Sequence, residues 1–120
     1  MSTNNEWVSV CKESDLIEFS GVTALIEDKQ VAIFYVPDLD EKLFAIDNHD
    51  PFSGANVLSR GLVGDLRGKV VVASPLYKQH FELATGQSLE DESIRVGVWP
   101  IKMENGEVLL GRPAGQPVAA

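Results

Sequence analysis

Cysteine is almost absent from this chain of 120 residues, in which Cys11 is the single example. One cysteine cannot form an intrachain disulfide, and it cannot supply a metal site with two or more thiolate ligands. A chain of this length buries about two-thirds of its surface on folding, so a hydrophobic core is sufficient to stabilise it. The sequence therefore predicts one domain without a disulfide or thiolate–metal staple.

Basic residues and long apolar runs are also scarce. Ten Lys and Arg stand against 18 Asp and Glu, which gives a net charge of −8. This balance argues against a nucleic-acid partner, because phosphate backbones bind basic surfaces. The longest apolar run, 70–76, is interrupted by Ser74 and Pro75 and is too short to span a membrane. The polar start of the chain lacks the features of a secretory signal, so a cytoplasmic location is expected.

Helical periodicity is missing as well, and alternation with a period of two dominates. The patterns predict strands at 7–11, 22–27, 30–36, 43–46, 69–73, 81–83, 94–103 and 107–110, with single helical turns at 13–19 and 89–93. Asp28-Lys29 and Asn105-Gly106 are typical of hairpin turns. The sequence therefore predicts an all-β fold, an antiparallel sandwich or a small barrel. Residues 112–120, rich in Gly, Pro and Ala, are expected to form a flexible tail.

Two segments do not fit the strand pattern. Residues 48–61 form a long loop inside a compact β domain. Residues 73–81 leave a buried strand through Pro75 and return to a strand at Phe81. Long loops in compact domains tend to carry function, so both segments are candidates for a functional site.

Together these segments resemble the two cluster-binding loops of Rieske domains, which carry Cys-x-His in one loop and Cys-x-x-His in the other. Asp50-Pro51-Phe52 and Ser74-Pro75-Leu76-Tyr77 occupy the places of the two pairs. The resemblance covers residues 6–111. It implies a Rieske-like antiparallel β-sandwich, a single domain over 1–111 with a smaller loop-bearing subdomain at about 48–81.

The family's four ligand positions hold Asp50, Phe52, Ser74 and Tyr77 in this chain. A Rieske cluster requires two thiolates and two imidazoles. Phenylalanine offers no lone pair and serine is a poor ligand for iron, so we expect neither a cluster nor another cofactor on this chain. We expect Phe52 and Tyr77, with Leu58 and Leu76 nearby, to fill the vacated space, with the Phe52 ring largely buried between the loops. We expect Asp50 to accept local backbone hydrogen bonds.

Several short segments are similar to the small-subunit family of the cytoplasmic NAD(P)H-dependent assimilatory nitrite reductases. They are Asp50-Pro51-Phe52, Val57-Leu58-Ser59-Arg60-Gly61, Ala73-Ser74-Pro75-Leu76 and Lys78-Gln79. The resemblance implies a large-subunit partner that carries FAD, an iron–sulfur cluster and sirohaem and reduces nitrite to ammonium. It implies a supporting role for this chain, without a catalytic residue.

In Rieske proteins the loop tips face the redox partner, so the resemblance also implies a partner-binding surface here. Its expected residues are His49, Arg60, Tyr77, Lys78, Gln79 and His80. A metal site built from His49, His80 and Asp50 is chemically conceivable, but we expect both histidines to be solvated. Two alternatives stay open, a free-standing Rieske-shaped interaction module and a ferredoxin-type electron carrier, which the cysteine count opposes.

Overall fold

The computed structural model describes residues 7–39, 42–76 and 78–111. These residues form nine strands and two short 3₁₀ helices, and none of their helices is long and apolar enough to cross a membrane. The strands are β1 (Val8–Lys12), β2 (Ser20–Ile26), β3 (Lys29–Tyr35), β4 (Leu43–Asp47), β5 (Leu62–Leu66), β6 (Lys69–Ala73), β7 (His80–Glu82), β8 (Ile101–Glu104) and β9 (Glu107–Leu110). The predicted all-β fold is confirmed, while the predicted tail at 112–120 and Tyr77 lie outside the described residues.

The strands form three antiparallel sheets of three strands each, in the orders β1-β9-β8, β2-β3-β4 and β5-β6-β7. The middle strand β3 is buried on both of its faces. Ala32 and Phe34 belong to the apolar cluster that includes β6 and β7, whereas Val31 and Ile33 belong to the cluster that includes β9. Because successive side chains of a strand point to opposite faces, β3 joins the two clusters into one core.

The hairpin turns follow the backbone rules that the sequence suggests. Asn105 and Gly106 both have positive φ between β8 and β9, as a two-residue hairpin requires. The β2–β3 turn lies at Glu27-Asp28, one residue earlier than predicted. A further hairpin, β5–β6, turns at Arg67-Gly68 with both φ values positive and was not predicted.

Three further expectations need correction. The strand predicted over 94–103 is reduced to Ile101–Glu104, because residues 94–100 make only isolated bridges. The helical turn predicted at 13–19 is limited to the first 3₁₀ helix, Glu13–Asp15. No helix forms at 89–93, where Ser88 Oγ and the Gln87 side-chain amide take up the polar backbone groups of the turn instead.

The connection from β4 to β5, residues 48–61, is called the first loop, and residues 74–79 between β6 and β7 are called the second loop. The first loop ends in the second 3₁₀ helix, Leu58–Arg60. Two glycines let this helix approach its neighbours closely. A Cβ at Gly21 would lie 2.5 Å from the carbonyl oxygen of Ser59, and one at Gly61 would lie 2.3 Å from that of Ala73. Side chains are excluded at both positions, so the backbone itself fixes the first loop between β2 and β6.

Candidate functional site

Asp50 organises the first loop from a completely buried position. Its Oδ1 accepts a hydrogen bond from the Phe52 N–H at 2.9 Å. Its own N–H donates to the Ala55 carbonyl at 2.8 Å, and its carbonyl accepts from the Gly54 N–H at 2.7 Å. The predicted local role of Asp50, to accept backbone hydrogen bonds and shape the turn, is confirmed.

Ser74 organises the second loop in the same way and is also completely buried. Its N–H donates to the Gln79 carbonyl at 2.8 Å, and its carbonyl accepts from the Lys78 N–H at 3.1 Å. Its Oγ accepts from the Leu76 N–H at 3.3 Å. The turn closes through Lys78, whose φ of 65° lies in the left-handed region.

The two turns are joined side chain to side chain. Ser74 Oγ donates a hydrogen bond to Asp50 Oδ2 across a distance of 2.5 Å. A hydrogen bond to an ionised acceptor in a buried site is among the stronger ones that proteins make. Two of the four positions at which the Rieske resemblance places cluster ligands are therefore bonded to each other.

Phe52 occupies a third ligand position and contributes packing. Its ring centroid lies 5.9 Å from that of Phe81, with the planes tilted by 51°. The ring is partly buried, which is less than expected, because it packs at the margin of the core cluster rather than inside it. Of the leucines expected to add bulk here, Leu58 is fully buried whereas Leu76 is 51% exposed. The expectation for Tyr77 lies outside the described residues.

These residues do not fit a [2Fe–2S] cluster. The Asp50 carboxylate and the Ser74 hydroxyl are hydrogen-bonded to each other, and the Phe52 ring has no lone pair to donate to a metal. Cys11 lies on β1, in a different sheet from either loop, and burial together with the nearby Asp15 carboxylate raises the pKa of its thiol. Within 7–39, 42–76 and 78–111 no group of three or more His, Cys, Asp or Glu residues could hold a metal ion.

A second buried polar group, Asn48, was not predicted. Its Nδ2 donates to Gln30 Oε1 at 3.0 Å and to the Asn56 carbonyl at 3.2 Å, and its Oδ1 accepts from the Ser59 N–H at 2.6 Å. Ser59 Oγ in turn lies 2.7 Å from Thr23 Oγ1 on β2. The network ties both ends of the first loop to the sheet. Its signal in the sequence is an asparagine immediately after an apolar strand.

Three of the expected partner-binding residues are exposed, namely His49, Arg60 and Lys78. His49 keeps Nδ1 3.2 Å from Asn56 Oδ1. Arg60 and Lys78 make no ion pair with any residue that the structure describes. Gln79 is partly buried, and its Oε1 has no hydrogen-bond partner among the described residues.

His80 differs from expectation because it is neither free nor fully solvated. Its side chain is 30% exposed, and its Nδ1 lies 2.7 Å from Glu90 Oε2. Its backbone N–H donates to Glu90 Oε1 at 2.8 Å. Burial raises the pKa of Glu90, but the backbone and ring hydrogen bonds from His80 outweigh burial, so this pKa is lowered. His80 thus fixes the start of β7 to the segment that contains Glu90.

Known proteins match the chain over nearly all of the described residues. Residues 6–111 match the family model of the Rieske-like [2Fe-2S] domain. The nitrite reductase (NADH) small subunit of Escherichia coli (strain K12) is 43% identical over 106 residues, which cover 88% of this chain and 97% of that protein. The chain belongs to the nitrite reductase small-subunit family of Rieske-like domains. The resemblance inferred from the two loops is thereby confirmed.

Two further relatives extend the comparison. A crystal structure described as an NADH-dependent nitrite reductase small subunit, from Mycobacterium tuberculosis, is 40% identical with a TM-score of 0.84 and covers 92% of this chain and 97% of that one. The nitrite reductase NAD(P)H large subunit of Klebsiella oxytoca is 40% identical over 105 residues, which are 88% of this chain and 11% of that protein. In that relative the domain is part of a much longer polypeptide.

Proposed function

We propose that this chain is the small, non-catalytic subunit of a cytoplasmic assimilatory nitrite reductase, which reduces nitrite to ammonium with NAD(P)H. The large subunit would carry FAD, an iron–sulfur cluster and sirohaem, and the six-electron chemistry would belong to those cofactors. The observation that carries the proposal is the same domain inside the Klebsiella oxytoca large subunit. A domain that is covalently joined to the large subunit in one relative is suited to bind it as a separate chain in another.

The chemistry of the loops supports a role without catalysis. Asp50, the sole acidic residue of either loop, is buried and bonded to Ser74 and to the Phe52 N–H, so it is not placed to act as a general base. With no thiolate or imidazole at Asp50, Phe52, Ser74 and Tyr77, we expect no cluster to assemble. Anaerobic reconstitution with iron and sulfide should leave the chain colourless. One or two equivalents of bound iron with a Rieske-type spectrum would contradict this.

Charge is distributed unevenly in a way that favours docking through the loops. The whole chain carries −8, yet the two loops expose Arg60 and Lys78, while their one acidic residue is buried. Beside them Leu62 and Leu76 are 76% and 51% exposed. Exposed apolar side chains together with cations that make no ion pair suit a partner surface that carries carboxylates and an apolar patch.

We call this surface the docking face. It comprises the partner-binding residues expected from the sequence, His49, Arg60, Tyr77, Lys78, Gln79 and His80, with Leu62 and Leu76 as its apolar centre. The face would belong to a loop-bearing subdomain at about 48–81 within a single domain over 1–111. Through this face the chain would support the assembly or stability of the large subunit without carrying electrons.

Co-purification tests the proposal directly. The tagged chain, expressed in cells that grow on nitrate, should retain a large subunit that carries sirohaem. Absence of that subunit, with another reductase in its place, would favour the free-standing interaction module instead.

Three substitutions test the docking face, two within it and one matched control outside it. Lys78 and Arg67 are both exposed cations with left-handed backbone, but Arg67 lies in the β5–β6 turn, at the end of that hairpin away from the loops. Lys78→Ala and Arg60→Ala should each weaken binding roughly two- to fivefold, mainly through the association rate. Arg67→Ala should bind like the parent chain. Equal losses in all three variants would place the docking face elsewhere.

A further inference from the structure

The Asp50–Ser74 hydrogen bond joins the first loop to the second loop. Among the residues that the structure describes, no other hydrogen bond joins residues 48–61 to residues 74–79. The bonded residues are 24 positions apart in sequence, and both are completely buried. Among the described residues, direct hydrogen bonding between the two turns therefore rests on one polar pair.

Each member of the pair also holds its own turn. The second oxygen of Asp50 accepts the Phe52 N–H, and the Ser74 hydroxyl oxygen accepts the Leu76 N–H. Displacing one side chain would consequently loosen the turn to which it belongs and remove the support of the other turn. This arrangement couples the two loops.

We propose that the Asp50–Ser74 hydrogen bond is the crosslink that keeps the two loops in register, at the place where the family's ligand pattern would have an iron–sulfur cluster. A cluster with two ligands in each loop would tie the loops together covalently. Here a carboxylate and a hydroxyl do so through one buried, charge-assisted hydrogen bond. Asp50 and Ser74 are therefore positioning residues for the docking face, a consequence that rests on the proposed function.

Amide hydrogen exchange on the folded protein tests the crosslink without any partner. Ser74→Ala should raise the exchange rates of the Phe52 and Gly54 amides, in the opposite loop, about tenfold or more. Ser88→Ala is the matched control, since Ser88 is also buried but its Oγ accepts from Glu90 and Asp91 outside both loops. Unchanged exchange of Phe52 and Gly54 in Ser74→Ala would overturn the proposal.

Asp50→Asn provides the reciprocal experiment and a second variant should Ser74→Ala fail to fold. The substitution keeps the shape but removes the charge and one acceptor oxygen. Exchange of the Leu76 and Lys78 amides, in the second loop, should rise by a similar factor.

A double-mutant cycle on the unfolding equilibrium adds an independent measure. Each single substitution, Ser74→Ala or Asp50→Asn, should raise the unfolding equilibrium constant by some factor. In the variant that carries both, the increase should be about tenfold smaller than the product of the two single factors. Effects that multiply without coupling would show that the two side chains act separately.

Binding to the large subunit separates this inference from the proposed function. Ser74→Ala should bind the large subunit about tenfold more weakly than the parent chain does, because the docking face spans both loops. If the parent chain does not bind the large subunit, the proposed function fails, while the exchange experiment still decides the crosslink. If the parent binds and Ser74→Ala binds equally well, the crosslink does not position the docking face.

Discussion

The sheets and the loop end of this molecule are held together by different interactions. Buried side chains in the three sheets are apolar, as in β3, where Val31, Ala32, Ile33 and Phe34 are all inaccessible to solvent. Four of the five buried polar residues identified in the described ranges lie in the loops, and these four are Asn48, Asp50, Ser59 and Ser74. Apolar burial is non-directional and tolerates substitution at similar volume, whereas a buried hydrogen bond fails when either partner is lost. The loop end is therefore the more specific and more fragile part of the structure.

The largest expected effect distinguishes a sheet aromatic from a loop aromatic. Phe34→Ala removes a fully buried ring from the core and should lower the free energy of unfolding by about 3–5 kcal/mol. Phe52→Ala removes a partly buried ring and should lower the free energy of unfolding by about 1–2 kcal/mol. The loss is smaller because the Phe52 ring buries less apolar area on folding and its removal leaves a smaller cavity. Denaturant unfolding monitored by circular dichroism measures both. Equal losses would mean that Phe52 belongs to the core after all.

The next effect tests the polar support of the first loop. Asn48→Ala leaves the Ser59 N–H and the Asn56 carbonyl without their partner and should cost about 2–4 kcal/mol. Asn56→Ala is the control, since this exposed asparagine side chain has a weak contact with His49 and should change stability by less than about 1 kcal/mol. Chemical denaturation curves compare the two variants. A neutral Asn48→Ala would show that water replaces the network.

The smallest expected effect concerns the loss of stability at low pH. The hydrogen bonds from His80 hold the folded pKa of Glu90 below its ordinary value of 4.5, so this carboxylate stabilises the fold above that pH. The contribution is lost as pH falls through the lowered folded pKa. Glu90 is well exposed, so Glu90→Gln should lower the melting temperature only slightly at pH 7. The difference from the parent should shrink as pH falls below 4.5 and disappear once the folded-state carboxyl is protonated, and a difference that grows on acidification would contradict the assignment.

The sequence predicts most of the strands, but it does not predict the hydrogen bonds between the loops. The continuous apolar runs of β3 and β6 predict strands, because short runs of β-branched and aromatic residues are typical of strands that are buried on both faces. The five residues of β5 were missed because Gly64 and Asp65 disfavour a strand, although Arg67-Gly68 is a usable turn signal.

Pairing between loops could not be predicted from local pattern. The sequence indicates that Asp50 accepts local N–H groups, which depends on its neighbours alone. Its bond to Ser74 depends on how β6 is placed against the first loop, which only the folded chain determines. The same reason explains why His80 was expected to be solvated, since Glu90 approaches it from ten residues away.

The left-handed backbone of Lys78 has a consequence for the stability of the second loop. A non-glycine residue with φ of 65° carries a conformational penalty of about 1 kcal/mol that glycine would avoid. Lys78 therefore combines an exposed cation with a backbone conformation that glycine would adopt without this penalty. Lys78→Gly should relieve the penalty in the second loop while removing one cation of the proposed docking face, so the same substitution would act on stability and on binding in opposite directions.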